Sequence, residues 1–120
     1  MKLKLVFLFL LLGVMVYAAE RLPGRSLADA VLQYDTLKAV YSSAIIAVPE
    51  CKEDLSVVNT ELISEPEFRN KRGKLQAVSD WAEKWTVNAC GKEVSVPIVF
   101  IPDKRGTGTS FIVYKPNLKQ

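Results

Sequence analysis

Residues 81–101, WAEKWTVNACGKEVSVPIVFI, constrain the fold of this chain more than any other stretch. They contain both tryptophans, one of the two cysteines and the densest run of β-branched residues. Such residues favour strands, and Cys90-Gly91 divides the run where a turn is expected. The stretch therefore predicts a strand, a tight turn and a second strand.

The first eighteen residues have the pattern of a secretory signal peptide. Lys2 and Lys4 precede an apolar segment over residues 5–16, and cleavage is expected after Ala18, with Ala19 as the second choice. The alternative is a membrane anchor, but an apolar run of about twelve residues is short for a bilayer-spanning helix. We predict a signal over residues 1–18, no stable membrane anchor after cleavage, and one small domain over residues 19–120.

Two cysteines in an exported protein favour a disulfide between Cys51 and Cys90, the alternative being two free thiols. The bridge would close a loop of about forty residues, which is worth about 4 kcal/mol. Strand alternation places Cys90 on the face opposite the tryptophans unless a bulge near Asn88 turns it. Both orientations stay open at this point.

One helix is predicted ahead of this stretch. Ser26 has the character of an N-cap, and Pro49 sets the end. Apolar residues recur three or four apart, which predicts a single face that packs on a sheet. This face consists of Leu27, Val31, Tyr34, Leu37, Tyr41, Ile45 and Val48.

Four strands are predicted, over residues 55–63, from about residue 81, over 94–101 and over 109–114. Residues 65–74 and 102–108 are expected to be a loop and a turn. Helical and strand periodicity compete over residues 75–82, and the pattern leaves that choice open. The predicted fold class is α+β, with one N-terminal helix packed on a four-stranded antiparallel meander sheet and one disulfide, Cys51–Cys90.

Residues 83–91, EKWTVNACG, residues 96–103, VPIVFIPD, and Gly106-Thr107 form a recognisable series. In this series the chain resembles a group of small exported bacterial proteins of unknown function. The resemblance covers the C-terminal third of the chain. It implies a bacterial, periplasmic or secreted setting, and it implies no activity, cofactor or site residue.

Composition excludes several classes of chemistry. The chain has no histidine, which excludes Ser-His and Cys-His nucleophiles and histidine-based metal sites. Without Lys2 and Lys4, 14 basic residues stand against 13 acidic ones, which is not the charge of a nucleic-acid-binding domain. We therefore predict no cofactor, no metal and no nucleic-acid partner.

Two loops carry the charges that we predict to meet an unknown protein partner. They are Arg69, Lys71, Arg72 and Lys74 in the first, and Asp103, Lys104 and Arg105 in the second. For the basic cluster, a solvated hairpin tip is the favoured interpretation.

We predict an exported, non-catalytic binding or interaction protein, such as an inhibitor of a secreted hydrolase or a periplasmic accessory module. The sequence does not identify its partner or its oligomeric state. The alternative is a small secreted hydrolase that uses carboxylates. Such acids normally lie on the surface of a domain, and here they would be Asp80 with Glu83, or Glu50, Glu53 and Asp54.

Overall fold

The computed structural model describes residues 22–105 and 108–119. The predicted signal over residues 1–18 therefore lies outside the described residues. The elements are helix α1 (Ala30–Ala47) and strands β1 (Leu55–Ser64), β2 (Phe68–Lys71), β3 (Lys74–Ala77), β4 (Trp81–Ala89), β5 (Lys92–Pro102), β6 (Thr109–Val113) and β7 (Asn117–Leu118). The predicted α+β class is confirmed. In this part of the chain, no helix is long and apolar enough to cross a membrane.

The main sheet has the strand order β1-β4-β5-β6, and all its neighbouring strands are antiparallel. These are the four predicted strands in the predicted order. The short β7 also pairs with β5, beside β6. The prediction of a loop over residues 65–74 was wrong, because β2 and β3 form a separate two-stranded sheet. Residues 75–82 contain no helix: β3 ends at Ala77 and β4 begins at Trp81.

Helix α1 begins one turn later than predicted and buries only part of the predicted face. Asp29, not Ser26, is the N-cap, and its carboxylate accepts a hydrogen bond from the Leu32 N–H at 2.9 Å. The predicted apolar stripe was wrong at Val31 and Tyr34, which are 72% and 62% exposed. Val48 of the stripe is buried and Leu37 and Tyr41 pack against the core, but the fully buried residues within the helix are Thr36, Val40, Ser43 and Ala44.

The volume of the side chains on the sheet explains which face of the helix is buried. Helix α1 packs on β4, β5 and β6, where the inward residues include Trp81, Trp85 and Phe100. Because these rings fill the layer, the helix must present small side chains to approach the sheet closely. The Trp81 and Phe100 rings stack at 5.0 Å between centroids, and both tryptophans are buried in the core.

Strand β1 joins this core through a bulge. Regular strand alternation would put Val57 and Thr60 on opposite faces. A register shift between Val57 and Asn59 instead places Val57 opposite Val87 and Thr60 opposite Trp85. One extra residue lets both side chains face the same core, and both are buried.

The Cys51–Cys90 disulfide is present, and it connects the loop after α1 to the β4–β5 turn. Pairing of β4 with β5 is regular up to Ala89 and Lys92, so no bulge at Asn88 turns Cys90. Instead Cys90 and Gly91 both have positive φ, 53° and 89°, as a two-residue type I′ turn requires. This left-handed backbone ends the strand alternation at Cys90, whose side chain meets the buried Cys51.

Candidate protein-binding cleft beside the hairpin arm

Strands β2 and β3, residues 68–77, form a projecting ribbon that we call the hairpin arm. Every residue from Phe68 to Gln76 is exposed. Its base is held by two hydrogen bonds of 2.8 Å: the Val78 N–H donates to the Glu67 carbonyl, and the Glu67 N–H donates to the Ser79 hydroxyl oxygen. The arm is therefore an ordered antiparallel ribbon attached to the start of β4.

The two faces of the hairpin arm differ in chemistry. Residues that oppose each other in an antiparallel pair lie on the same face. One face carries the pair Phe68 with Ala77 and the pair Asn70 with Leu75, so three of its four residues are apolar. The opposite face carries the pair Arg69 with Gln76 and the pair Lys71 with Lys74. The arm contains four cations and no acid, and Phe68 and Leu75 are 42% and 70% exposed.

A cleft of about 720 Å³ lies beside the hairpin arm. The arm forms one wall, the beginning of α1 contributes Leu27 and Leu32, and the end of β5 with its following turn contributes residues 102–104. The buried Trp81, only 4% exposed, lines the cleft as well. The cleft is thus lined by a mixture of apolar and charged side chains.

The structure brings the two predicted binding loops to this one cleft. Arg69 and Lys71 of the first loop and Asp103 and Lys104 of the second line it together. The other predicted residues, Arg72, Lys74 and Arg105, are exposed but do not line it. Of the basic cluster, Lys71, Arg72 and Lys74 lie at the tip of the hairpin and Arg69 lies within β2.

Asp103 also shapes the turn that forms the second wall. Its N–H donates to the Gly108 carbonyl at 2.8 Å, and its carboxylate accepts a hydrogen bond from the Arg105 N–H at 3.0 Å. At the start of the helix, Asp29 serves as the cap of α1. Two of the acids that line the cleft therefore already accept internal hydrogen bonds.

Glu83 lies directly behind this cleft, and the expectation that it is a surface acid was wrong. It is 1% exposed. One carboxylate oxygen accepts hydrogen bonds from the Trp81 indole N–H and the Leu27 backbone N–H, and the other accepts one from the Trp85 indole N–H, each at 2.8 Å. These three donors replace the water that a buried carboxylate loses.

The pairing of Asp80 with Glu83 that a hydrolase would need is not formed. Asp80 is exposed, while Glu83 faces the core beside the tryptophans. The sequence signal for the burial of Glu83 was the spacing W-x-E-x-W, which puts the acid between two indoles on one face of a strand. The second acidic set, Glu50, Glu53 and Asp54, is exposed. Among residues 22–105 and 108–119, no group of three or more acids or cysteines could hold a metal ion.

The chain matches no protein-family model, no curated protein and no solved structure. The resemblance of the C-terminal third to exported bacterial proteins of unknown function stays a prediction. Functional inference therefore depends on the geometry of the cleft.

Proposed function

We propose that this is an exported, non-catalytic binding protein whose cleft holds an extended, acidic segment of another protein. The observation that carries the proposal is the convergence of two charged loops, about thirty residues apart in sequence, on one cleft beside an exposed ribbon. Binding such a segment is consistent with a role of this protein as an inhibitor of a secreted hydrolase or as a periplasmic accessory module.

The backbone of the hairpin arm supports an extended partner. Among the described strands, β2 and β3 pair with each other and with no third strand. Their outer edges therefore present unpaired N–H and C=O groups, which are the groups that an added peptide strand binds. An extended segment could add to one edge and place alternate side chains toward the cleft.

The charges of the hairpin arm support an acidic partner. The cleft is lined by three cations, Arg69, Lys71 and Lys104, and by three acids, Asp29, Glu67 and Asp103, but the arm itself carries four cations and no acid. A segment with carboxylates would complement these cations, while Leu27 and Trp81 would accept an apolar side chain between them.

Export to the bacterial periplasm or medium is part of the proposal. A disulfide persists in oxidising compartments, so the Cys51–Cys90 bridge supports an extracytoplasmic setting. The pattern of residues 1–18 supports it independently.

The test is affinity capture from periplasmic extract, with the protein purified after export from expression of the full chain. The double variant Arg69→Glu/Lys71→Glu reverses two cations of the cleft wall. Its matched control, Lys52→Glu/Lys115→Glu, makes the same charge change at exposed positions that do not line the cleft.

We expect wild type and control to retain one partner in stoichiometric amount. The Arg69→Glu/Lys71→Glu variant should bind it at least roughly tenfold more weakly, which corresponds to about 1.4 kcal/mol. Equal retention by both double variants, or no retained partner at any salt concentration, would contradict the proposal. A hydrolase activity lost in Asp80→Asn would contradict its non-catalytic part.

A further inference from the structure

Helix α1 carries a second stripe, opposite its buried face, that is exposed along its whole length. The stripe consists of Val31, Tyr34, Asp35, Lys38, Ser42 and Ile46, each of which has another member three or four residues away. Its large apolar members are 72%, 62% and 74% exposed at Val31, Tyr34 and Ile46. The outward side of a surface helix is normally polar, so apolar residues at both ends of this stripe indicate a face that another molecule covers.

We propose that a second copy of this chain covers the stripe, with the two α1 helices antiparallel about a two-fold axis. The helix runs from Ala30 to Ala47, so its midpoint lies between Lys38 and Ala39. When a second helix is turned end for end about this midpoint, Val31 lies opposite Ile46 at both ends. Because the stripe maps onto itself in this way, it fits the self-complementary interface of a symmetric dimer.

The middle of the stripe is complementary in charge and in volume. Its only charged residues are Asp35 and Lys38. In the antiparallel arrangement Lys38 faces Ala39 of the second copy. Asp35 of the second copy lies one helical turn from that Ala39, so Lys38 of each copy pairs with Asp35 of the other. Ala39 and Ser42 are small and leave room for the ring of Tyr34. The Lys38 ammonium already lies 4.7 Å from the centroid of that ring, which keeps it on the stripe.

Charge also selects the direction of the pairing. A parallel arrangement would bring Asp35 against Asp35 and Lys38 against Lys38, and like charges across an interface oppose association. Only the antiparallel arrangement alternates the signs. A helix of this length spans about 27 Å, and a single helix pair is a small interface, so we expect a dimer that dissociates on dilution.

The test is sedimentation equilibrium of the protein purified after export, which should show a mass rising with concentration from one chain to two. Val31→Glu and Ile46→Lys each place one charge against an apolar side chain, and each should weaken dimerisation by at least roughly tenfold. An equimolar mixture of these two variants should dimerise again. In the mixed dimer the introduced carboxylate faces the introduced ammonium, and at the other end Ile46 still faces Val31.

Two controls keep the result interpretable. Both variant positions are exposed, so the thermal melting of each variant monomer should match that of the wild-type monomer. Leu75→Glu introduces a charge at another exposed leucine, on the hairpin arm, and should leave dimerisation unchanged. The proposal is overturned by a wild-type protein that stays monomeric, by single variants that dimerise normally, by a mixture that fails to dimerise, or by loss of the dimer in Leu75→Glu.

Discussion

The indole N–H of Trp85 donates a 2.8 Å hydrogen bond to the carboxylate of Glu83, and both side chains lie in the core of the sheet. The same carboxylate accepts hydrogen bonds from the Trp81 indole and from the Leu27 backbone N–H. One acid thus connects two aromatic rings of β4 with the segment that leads into α1, and it holds the tryptophan that lines the cleft.

Glu83→Gln should lower the free energy of unfolding by about 1–3 kcal/mol, because an amide nitrogen would face an indole N–H and leave a buried donor without an acceptor. Urea denaturation measures this loss. The control is Glu61→Gln, at a surface carboxylate 3.4 Å from the Lys84 ammonium and 53% exposed, where a change below about 1 kcal/mol is expected. Equal losses in the two variants would contradict the role assigned to Glu83.

The Cys51–Cys90 bridge should appear as a mass two hydrogens below that of the dithiol form, and its removal should cost about 4 kcal/mol of unfolding free energy. Cys90 has a left-handed backbone, so its replacement tests two effects at once. Cys51→Ala/Cys90→Asn removes the crosslink and also relieves the strain of the left-handed backbone, because asparagine tolerates this conformation better than cysteine does. Cys51→Ala/Cys90→Ala removes the crosslink and keeps the strain, because alanine has the same Cβ as cysteine, so it should be less stable than the asparagine variant by about 1 kcal/mol. Two free thiols in exported protein would refute the bridge.

The sheet was predictable from the sequence because its signals are local. Alternation and the Cys90-Gly91 step define β4, the turn and β5, and the four main strands lie in the predicted order. The hairpin arm was missed because it lacks a run of β-branched residues. A signal was nevertheless present: Asn70 precedes Gly73 as Asn88 precedes Gly91, and each asparagine side chain accepts a hydrogen bond from the glycine N–H.

The rotation of the helix that buries Val40 and exposes Val31, and the cleft, were not predictable, for a different reason. Helix α1 has apolar residues on both sides, so periodicity alone does not decide which side meets the sheet. The volume of Trp85 and Phe100 decides it. Likewise Arg69 and Lys104 lie far apart in sequence and meet at one cleft only through the tertiary arrangement of the arm and the end of β5.

Glu50 and Lys92 form an exposed ion pair of 3.1 Å beside the disulfide. A hydrogen bond with its own backbone, followed by the contact with Lys92, holds the pKa of Glu50 below its ordinary value of 4.5. Because the folded-state pKa is depressed, the stabilisation is present above the unfolded-state pKa and is lost as the pH falls through the folded-state pKa. In an NMR titration, Lys92→Gln should raise the pKa of Glu50 only part of the way, since the backbone hydrogen bond remains. Lys52→Gln, at an exposed lysine nearby in sequence, is the control. A wild-type pKa at the ordinary value would contradict this account.

Gly24 lies where the segment before α1 pairs with the outer edge of β1. The Thr60 N–H donates to the Pro23 carbonyl at 3.0 Å, and the Arg25 N–H donates to the Thr60 carbonyl at 2.9 Å. Gly24 has a φ of 95°, and a Cβ there would overlap the Thr60 backbone. Only glycine fits both the backbone conformation and the space.

Gly24→Ala should therefore cost more than backbone strain alone. Gly91→Ala is the matched control, because Gly91 has a φ of 89° but open space around its Cβ position; it should lose about 1–2 kcal/mol of unfolding free energy. Gly24→Ala should add a further cost of about 1–3 kcal/mol from the overlap. If the segment instead detaches from β1, hydrogen exchange of the Thr60 N–H should become faster, because its acceptor is lost. Equal losses in the two variants together with unchanged exchange at Thr60 would show that this segment does not pair with β1 in solution.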